Sequence, residues 1–566
     1  MPSSLQQRPS FVELFTPKLV TILREGYRLK DLRADALAGL TVAIVALPLS
    51  MAIAIASGAT PAQGLYAAIF GGFLVSALGG SRFQVGGPAG AFIVLVAASI
   101  ARHGMEGFLL ATMLAGAMLI AIGFLRLGSY IKFIPYPVTV GFTAGIAIII
   151  FASQLRDLLG LRLAGKEPGD LLPKLAAFGH VLDTINPMAV GLALATIVLI
   201  VAMQRLKPHW PGMLAAVVLT AAATWAFHLP VETIGSRFGG IPAGLPLPSF
   251  PALSLAGIQA VLPDALSFAL LGAIESLLSA VVADAMTGRR HRSNCELVAQ
   301  GFANIASALF GGLCVTGTIA RTATNVRAGA RGPLAGMFHS LFLLIFILVA
   351  APLARFIPLS ALGGILAIVA WNMLDKYAFA TLVRSSWGDA VVLLATFLLT
   401  IFRDLTTGIL VGFGLGTLLF LHRMSSATGI AGDTSFAGGD EADAVGAART
   451  PYDVTLATDP DLVVYRITGA FFFGSATAIG SVLDRLAERP KTMVLDFSAV
   501  PFLDSTAANT VEGAAAKASR NGVALIVTGA NPSVRQTLRD YGVREPQARY
   551  EASIAAAVQS ASRAAP

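Results

Sequence analysis

Cysteine, histidine and charged residues are all scarce in this chain of 566 residues. Its two cysteines, Cys295 and Cys314, lie in or beside apolar runs without CxxC or Cys–His spacing, which excludes a disulfide framework and indicates small buried side chains. The seven histidines are scattered without ligand spacing, so we expect no metal centre. No nucleophile, base and orienting group fall together in any motif, and we therefore expect neither an enzyme nor a cofactor.

Charged residues make up 13% of the chain and hydrophobic residues 55%, a composition that a soluble domain cannot bury in one core. Long apolar runs recur from Ala36 to about Arg423, which is typical of a polytopic membrane protein. The excess of basic residues does not indicate nucleic-acid binding. If both termini are cytoplasmic, most basic residues next to the spans lie on the cytoplasmic side of the membrane, as is usual for membrane proteins. The main exception is the loop of residues 155–185, which carries Arg156, Arg162, Lys166 and Lys174.

The segment before the first span has no signal-peptide pattern. In residues 1–33, the stretch "SFVELFTPKLVTILREGYRLK" predicts a cytoplasmic amphipathic helix on the membrane surface. A transmembrane domain is predicted at 34–424. Its ordinary spans are predicted at about 36–56, 62–79, 107–125, 133–154, 186–206, 211–228, 264–287, 295–313, 333–351, 359–373, 388–402 and 404–422.

Two further apolar pieces are too short to cross the hydrocarbon layer of about 30 Å as helices. They are "FQVGGPAGAFIVLVA", from Phe83, and "LCVTGTIARTATN", from Leu313, and in each a glycine precedes small residues that open a helix. "DAL" occurs at 35–37 and again at 264–266, at nearly the offset that separates the short pieces. Interrupted segments at corresponding positions of two repeats indicate a transporter site at the membrane midplane. Because each half has seven segments, an odd number, the second half must be inverted.

The two short pieces predict a binding site for anions. Half-helices that begin near Pro88 and Thr318 would direct free backbone N–H groups, and about half a positive charge each, at the space between them. The alternative is that these pieces are only kinked and tightly packed helices.

Glu275 lies eleven positions after Asp264, which places it near the middle of the membrane. An uncompensated charge there costs from about 3 to more than 10 kcal/mol. Ser279 is one turn further on the same face, so the carboxylate and the hydroxyl could jointly hold a sodium ion, or Glu275 could take and release a proton. Removing a carboxyl group from water favours its neutral form in general, so we favour the proton over sodium as the ion bound at Glu275.

Arg321 lies just inside the second short helix, at about the depth of Glu275. It either forms a structural salt bridge with Glu275 or adds positive potential to the anion site. We favour the second interpretation, because ionisable groups inside a membrane are usually functional.

The stretches "AIESLLSAVVADAMTGRRHRSNCELVAQGFANIASALFGG" and "TGTIARTATNVRAGARGPLAGM" closely resemble the signature region of the sulfate permease (SulP) family, bacterial relatives of the solute carrier 26 anion transporters. "ALPLSMAIAIASGATPAQGLYAAIFGG" and "GGSRFQVGGPAGAFIVL" are similar to the family's first three segments. The resemblance implies an α-helical polytopic membrane protein with fourteen segments in a 7+7 inverted repeat. It also implies a core domain (segments 1–4 and 8–11) that moves against a gate domain (segments 5–7 and 12–14) in an elevator-like motion.

The resemblance also implies site residues. The anion is expected between segments 3 and 10, around Ala89, Gly90, Ala91, Phe92, Thr318, Ile319 and Ala320. Glu275 and Ser279 match the family's cation or proton site. Leu49 departs from the glutamine of many relatives, and this variant most resembles the branch that holds bacterial C4-dicarboxylate carriers. Other members move sulfate, bicarbonate or chloride.

Residues 425–450 are small and polar and predict a flexible linker. Strands then alternate with helices, and residues 451–552 resemble the small cytoplasmic α/β STAS domain, named for sulfate transporters and anti-sigma-factor antagonists. The resemblance implies that Ser505 or Thr506 can be phosphorylated, but we favour the alternative that Asp504 or Ser505 caps a helix. Residues 553–566 are predicted to be a disordered tail.

Together these features predict a secondary active anion symporter of the bacterial cytoplasmic (inner) membrane, with the proton as its coupling ion. The expected partners are the anion, a proton or sodium ion, the lipid bilayer and a second copy in a homodimer. Sodium-coupled symport, anion exchange, an uncoupled anion channel and a non-transporting membrane sensor are the alternatives. A nucleobase carrier of the same architecture is disfavoured, because Arg321 stands where such a carrier is expected to have a carboxylate.

Overall fold

The computed structural model describes residues 10–128, 135–163, 165, 167–168, 171–206, 211–427, 462–472, 476 and 491–564. The helices of the first part of the chain are α1 (Phe11–Phe15), α2 (Lys18–Arg24), α3 (Leu29–Ala56), α4 (Pro61–Tyr66), α5 (Gly72–Leu78), α6 (Ile93–Phe124), α7 (Tyr136–Leu159), α8 (Leu171–Gly179), α9 (Pro187–Leu206), α10 (Gly212–Ala226), α11 (Ile234–Phe238), α12 (Leu255–Thr287), α13 (Ser293–Leu309), α14 (Ile319–Arg327), α15 (Leu334–Ala350), α16 (Leu359–Met373), α17 (Lys376–Ser385), α18 (Trp387–Phe402) and α19 (Leu405–Ala427). Two short strands, β1 (Gly86–Gly87) and β2 (Thr316–Gly317), lie between them.

Each ordinary span predicted from the sequence overlaps one of these helices, except that the span at 62–79 comprises α4, a π-helical turn at Ala67–Gly71 and α5. In the described residues, eight helical stretches are long and apolar enough to cross a membrane, and three shorter apolar helices accompany them. The chain is therefore a polytopic α-helical membrane protein, while the count of fourteen segments stays a prediction.

The two short pieces form matching strand–helix units. β1 and β2 pair antiparallel, with Gly86 opposite Gly317. The first unit continues through a single turn at Gly90–Phe92 into α6, which is broken at Gly104, where φ is 69°. The second unit continues into α14, whose nine residues span only about 14 Å. The prediction of two half-helices with extended leads is confirmed.

The two halves of the chain also make equivalent contacts. The carboxylate of Asp264 accepts a hydrogen bond from the guanidinium of Arg102 at 2.6 Å, in the last turn of the first half-helix before the break at Gly104. The carboxylate of Asp35 accepts hydrogen bonds from the backbone N–H groups of Arg331 and Gly332, just beyond the second. Arg102 and Arg331 are separated by the same offset as the two aspartates. The aspartate of each "DAL" stretch therefore anchors the end of the short helix in the other half. This is the relation expected for two sequence repeats.

Close helix contact positions these units. A Cβ added to Gly116 in α6 would lie 2.7 Å from the carbonyl oxygen of Gly301 in α13, and one added to Gly301 would lie 2.5 Å from the carbonyl oxygen of Gly116. Because real Cβ atoms do not approach backbone oxygens so closely, only glycine lets the two backbones meet here. This contact packs the long helix that follows the first half-helix against α13.

The C-terminal part of the chain contains an α/β domain. Its parallel sheet has the order β3–β4–β5–β6, and its elements are β3 (Leu462–Thr468), β4 (Thr492–Ala499), α20 (Ser505–Arg520), β5 (Ala524–Thr528), α21 (Pro532–Asp540), β6 (Arg549–Glu551) and α22 (Ile554–Ala564). Met493, Leu495 and Phe497 on β4 are fully buried in its core, because alternate residues of a strand face the same side of a sheet.

The predicted disordered tail is wrong for residues 554–564, which form α22. Ser553 caps this helix by accepting a hydrogen bond from the N–H of Ala556, and Ala557 is buried against Val494 and Ile526 of the sheet. Alanine favours a helix, and a buried apolar face stabilises it, which outweighs the low complexity of the segment. Residues 425–427 extend α19, and the rest of the predicted linker, 428–450, lies outside the described residues.

Candidate anion and coupling-ion site

The starts of both half-helices directly follow the paired strands β1 and β2. The strands before them are buried, and the capping residues Ala89 and Thr318 have extended backbone conformations. The first helical residues are more open, since Gly90 is half-buried and Ile319 and Ala320 are exposed. Backbone N–H groups in a first turn have no partner four residues earlier, so each start carries partial positive charge. Both predicted helix starts are present, and their role as an anion site stays a prediction.

Gly90 borders two other helices. A Cβ added to Gly90 would lie 3.3 Å from Cδ1 of Ile150 in α7 and 3.7 Å from Sδ of Met373 in α16. The space in front of the first half-helix is therefore bounded by apolar side-chain ends, and it stays open because residue 90 has no side chain. An apolar boundary strengthens the attraction between an anion and backbone N–H groups.

Ala91 and Phe92 contribute differently from Gly90. They are only 2% and 3% exposed, and the ring of Phe92 packs against Phe268 of α12 with 6.3 Å between centroids. Their side chains therefore belong to the protein interior. The N–H of Phe92 donates to the Ala89 carbonyl oxygen at 3.1 Å, so a contact with an anion could involve only the backbone N–H of Ala91.

Arg321 is fully buried and reaches the lead of the opposite half-helix. Its Nη2 donates to Ser50 Oγ at 3.0 Å and to the Pro88 carbonyl oxygen at 3.2 Å, and its Nη1 donates to the Gly86 carbonyl oxygen at 3.3 Å. A Cβ at Gly87 would overlap Nη1, so residue 87 has to be glycine for the guanidinium to fit. Arg321 thus joins the two units and places a positive charge between them.

The alternative of a Glu275–Arg321 salt bridge finds no support, since the described residues include no ion pair between these two side chains. Within the described part of the chain, Arg321 Nε has no hydrogen-bond partner. The arginine therefore still has one donor and its charge to offer near the half-helix ends.

Glu275 is 8% exposed within α12 and points neither into a known ion pair nor into a hydrogen bond among the described residues. Ser279, one turn later, donates to Thr322 Oγ1 at 3.0 Å in α14. The same threonine oxygen accepts the N–H of Val85 in the lead of the first half-helix at 3.2 Å. Ionising a buried carboxyl without a partner costs free energy. Binding of a proton or cation at Glu275 would therefore change the charge next to both strand–helix units.

Sequence reasoning missed three residues that hold the units together. They are Ser50, Gln84 and Thr322; the side chain of Gln84 donates to the Ser276 carbonyl oxygen at 2.9 Å. Ser50 stands at the same offset from Ser279 as Asp35 from Asp264, so an alignment of the two halves would have found it. Gln84 and Thr322 carry no comparable signal.

The STAS-like loop was predicted to cap a helix or to be phosphorylated. Asp504 Oδ1 accepts the N–H of Ala507 at 2.9 Å, which confirms that Asp504 caps α20. Ser505 is only 3% exposed, and Thr506 Oγ1 accepts the backbone N–H of Tyr136 at 3.3 Å. Neither hydroxyl is freely presented in this arrangement, and phosphorylation at Ser505 or Thr506 stays a prediction.

Two interrupted helices from opposite repeats, with their N-termini converging beside a buried carboxyl, are the features of a membrane carrier. The Sulfate permease family profile matches residues 32–396, and the STAS domain profile matches residues 453–561. The chain belongs to the sulfate permease family. It is a multi-pass membrane transporter of that family and not an enzyme, and the family resemblance stated from the sequence is confirmed.

Two relatives match over nearly the whole chain. The chain is 39% identical to "Putative sulfate transporter YvdB" of Bacillus subtilis (strain 168), over 92% of this chain and 95% of that protein. It is 32% identical to "Bicarbonate transporter BicA" of Picosynechococcus sp. (strain ATCC 27264 / PCC 7002 / PR-6), over 90% of each.

Solved structures share the fold. The transmembrane domain of a cyanobacterial bicarbonate transporter BicA superposes with a TM-score of 0.62 at 34% identity, covering 68% of this chain and 98% of that one. Murine Slc26a9, an anion transporter in the inward-facing state, superposes with a TM-score of 0.65 at 20% identity, covering 100% of this chain and 96% of that one. The second likeness concerns the fold alone.

Proposed function

We propose that the chain is a secondary active transporter that moves a small anion of the sulfate, bicarbonate or C4-dicarboxylate class together with a proton. The observation that carries the proposal is that both half-helices follow the paired strands β1 and β2, and that α12, which carries the buried Glu275, contacts the second half-helix through the Ser279–Thr322 hydrogen bond. Relatives named as sulfate and bicarbonate transporters support the anion.

Backbone groups account for a site that accepts different small anions. The N–H groups at two helix starts attract negative charge without requiring one particular shape, and the Arg321 guanidinium adds to that attraction. Side chains at the openings are small or apolar, as at Gly90, Ile319 and Ala320. Sulfate, bicarbonate and dicarboxylates can therefore compete for the same site. Which of them binds best depends on the size of the open space.

The coupling ion in this proposal is a proton on Glu275. Glu275 and Ser279 offer few oxygens for a metal ion, and the Ser279 hydroxyl hydrogen is already donated to Thr322. Loading the carboxyl with a proton removes a buried charge, so the anion-loaded unit can move through the apolar layer at lower cost. Sodium coupling is the alternative that the assay below separates.

The movement proposed is an elevator-like displacement of the half-helix unit against the helices that face it. Ile150 and Met373, which face Gly90, present apolar side-chain ends, and such surfaces can slide without breaking hydrogen bonds. The proposal places the protein in the bacterial cytoplasmic membrane as a homodimer with both termini in the cytoplasm.

Uptake into proteoliposomes tests the proposal. With acid outside, alkaline inside and no sodium, at least one of sulfate, bicarbonate, fumarate and succinate should accumulate, and a protonophore should collapse the accumulation. Accumulation driven only by a sodium gradient would select sodium symport, and unitary currents far above carrier turnover would select a channel. If no anion responds to the pH gradient, proton coupling is wrong.

A further inference from the structure

A second polar cavity lies at the C-terminal end of α7, away from the half-helix starts. Its volume is about 310 Å³, at the lower end of the range for small-molecule pockets. Its lining includes Arg156 and Asp157 of α7, Arg162 of the following loop, and Ser360 at the start of α16. Arg156 and Arg162 belong to residues 155–185, the main basic region that is predicted to lie on the non-cytoplasmic side of the membrane.

The cavity contains a buried donor without a partner. Ser360 is 3% exposed, and its hydroxyl has no hydrogen-bond partner in the described part of the chain. Ser360 is the second residue of the fifteen-residue helix α16. The N–H groups of Leu359 and Ala361 donate to the carbonyl oxygens of Glu232 and Pro358, which leaves the N–H of Ser360 beside its hydroxyl among the described residues. The Nε of Arg156 also lacks a partner among the described residues. A ligand with acceptor atoms would satisfy these groups.

The charges around the cavity favour an anion. Its two acidic lining residues are occupied, because Arg237 Nη1 lies 3.2 Å from Asp157 Oδ1 and 3.9 Å from Glu232 Oε2. Arg156 Nη1 lies 3.8 Å from Glu167 Oε2, and the same carboxylate lies 2.9 Å from Lys174 Nζ. The side chain of Arg162 is exposed at the cavity, and the hydrogen bond to Thr184 uses only its backbone N–H. The cations Arg156, Arg162, Lys174 and Arg237 outnumber the carboxylates of Asp157, Glu167 and Glu232 by one, so one positive charge remains for an anion to neutralise.

We propose that this cavity is a second anion-binding site, separate from the half-helix site, that takes a small organic dicarboxylate. One carboxylate would accept hydrogen bonds from the hydroxyl and the backbone N–H of Ser360, and the other would pair with the Arg156 and Arg162 guanidinium groups. Two donor sets in one cavity match a ligand with two charged ends. The proposal stands on this cavity alone and does not depend on which anion is transported.

Protection of an introduced cysteine tests the site in the purified full-length protein. Val231 lines the cavity and is half-buried, whereas the native Cys295 and Cys314 are 3% and 2% exposed. A maleimide should therefore label the Val231→Cys variant with little background. Millimolar succinate should slow this labelling, and adding Ser360→Ala or Arg162→Gln should weaken the apparent succinate affinity about tenfold, the cost of losing one charge-assisted hydrogen bond.

Matched controls separate this site from the half-helix site. Arg355→Gln changes an exposed arginine that lies over the Phe356 ring outside the cavity lining, and it should leave protection intact. Arg321→Lys, which affects the half-helix site, should also leave it intact. The proposal is overturned if succinate gives no protection, if protection survives both cavity substitutions, or if calcium protects in place of succinate.

Discussion

Replacing Glu275 by glutamine should abolish proton-driven accumulation of the anion while anion exchange across the same membrane continues. Glutamine keeps the shape of the side chain and stays neutral, so the buried carboxyl can no longer take a proton on one side and release it on the other. Without a membrane potential, one coupled proton gives about tenfold accumulation per pH unit, and the variant should show none.

The control for this variant is Glu106→Gln, which neutralises an exposed carboxylate and should leave accumulation unchanged. Both accumulation and exchange are measured on the same proteoliposomes with labelled anion. Accumulation by Glu275→Gln at the wild-type level would contradict the assigned role of this residue, and loss of both accumulation and exchange would mean that Glu275 is needed for more than coupling.

Replacing Arg321 by lysine should lower uptake by about tenfold or more, although the positive charge is kept. The guanidinium of Arg321 donates to Ser50, Gly86 and Pro88 at once, and a single ammonium on a shorter reach cannot reproduce this planar fork. Each buried carbonyl oxygen left without its donor costs about 1–3 kcal/mol, so the lead of the first half-helix should shift.

Arg327→Lys is the matched control, because Arg327 is exposed at the end of the same helix. Its uptake should equal that of the wild type. Size-exclusion profiles of both variants show whether the protein still folds. Normal uptake by Arg321→Lys would mean that positive charge alone is sufficient and that the fork to the opposite unit is not required.

The sequence predicts the helices and the two half-helices well, for physical reasons that are local. Long apolar runs become helices in a membrane, and a short run cannot span it. The units at Gly86 and Gly317 were therefore predicted from the length of the two runs and their matching positions in the two halves. Glu275 is recognisable because a carboxyl is rare within such a run. The resemblance to a family then placed these residues around one site.

Contacts between distant parts of the chain could not be predicted in the same way. The bonds from Arg321 to Gly86 and Pro88 span more than two hundred residues of sequence, and nothing near Arg321 indicates which partner it selects. Burial of the Phe92 side chain depends on Phe268, which lies on another helix. The helix at 554–564 was missed because its stability comes from the sheet on which it packs rather than from its composition.

The central claim is that the anion lies at the start of the first half-helix, and the KM for uptake by the Gly90→Ala variant tests it most directly. The added methyl would enter the open space 3.3 Å from Ile150, whereas the control Gly272→Ala in α12 places a methyl at an ordinary 3.7 Å from Cδ1 of Leu119 and Cζ of Phe92. The account predicts that Gly90→Ala raises KM about tenfold or more and that Gly272→Ala leaves it unchanged. A wild-type KM for Gly90→Ala in a folded protein would contradict the account.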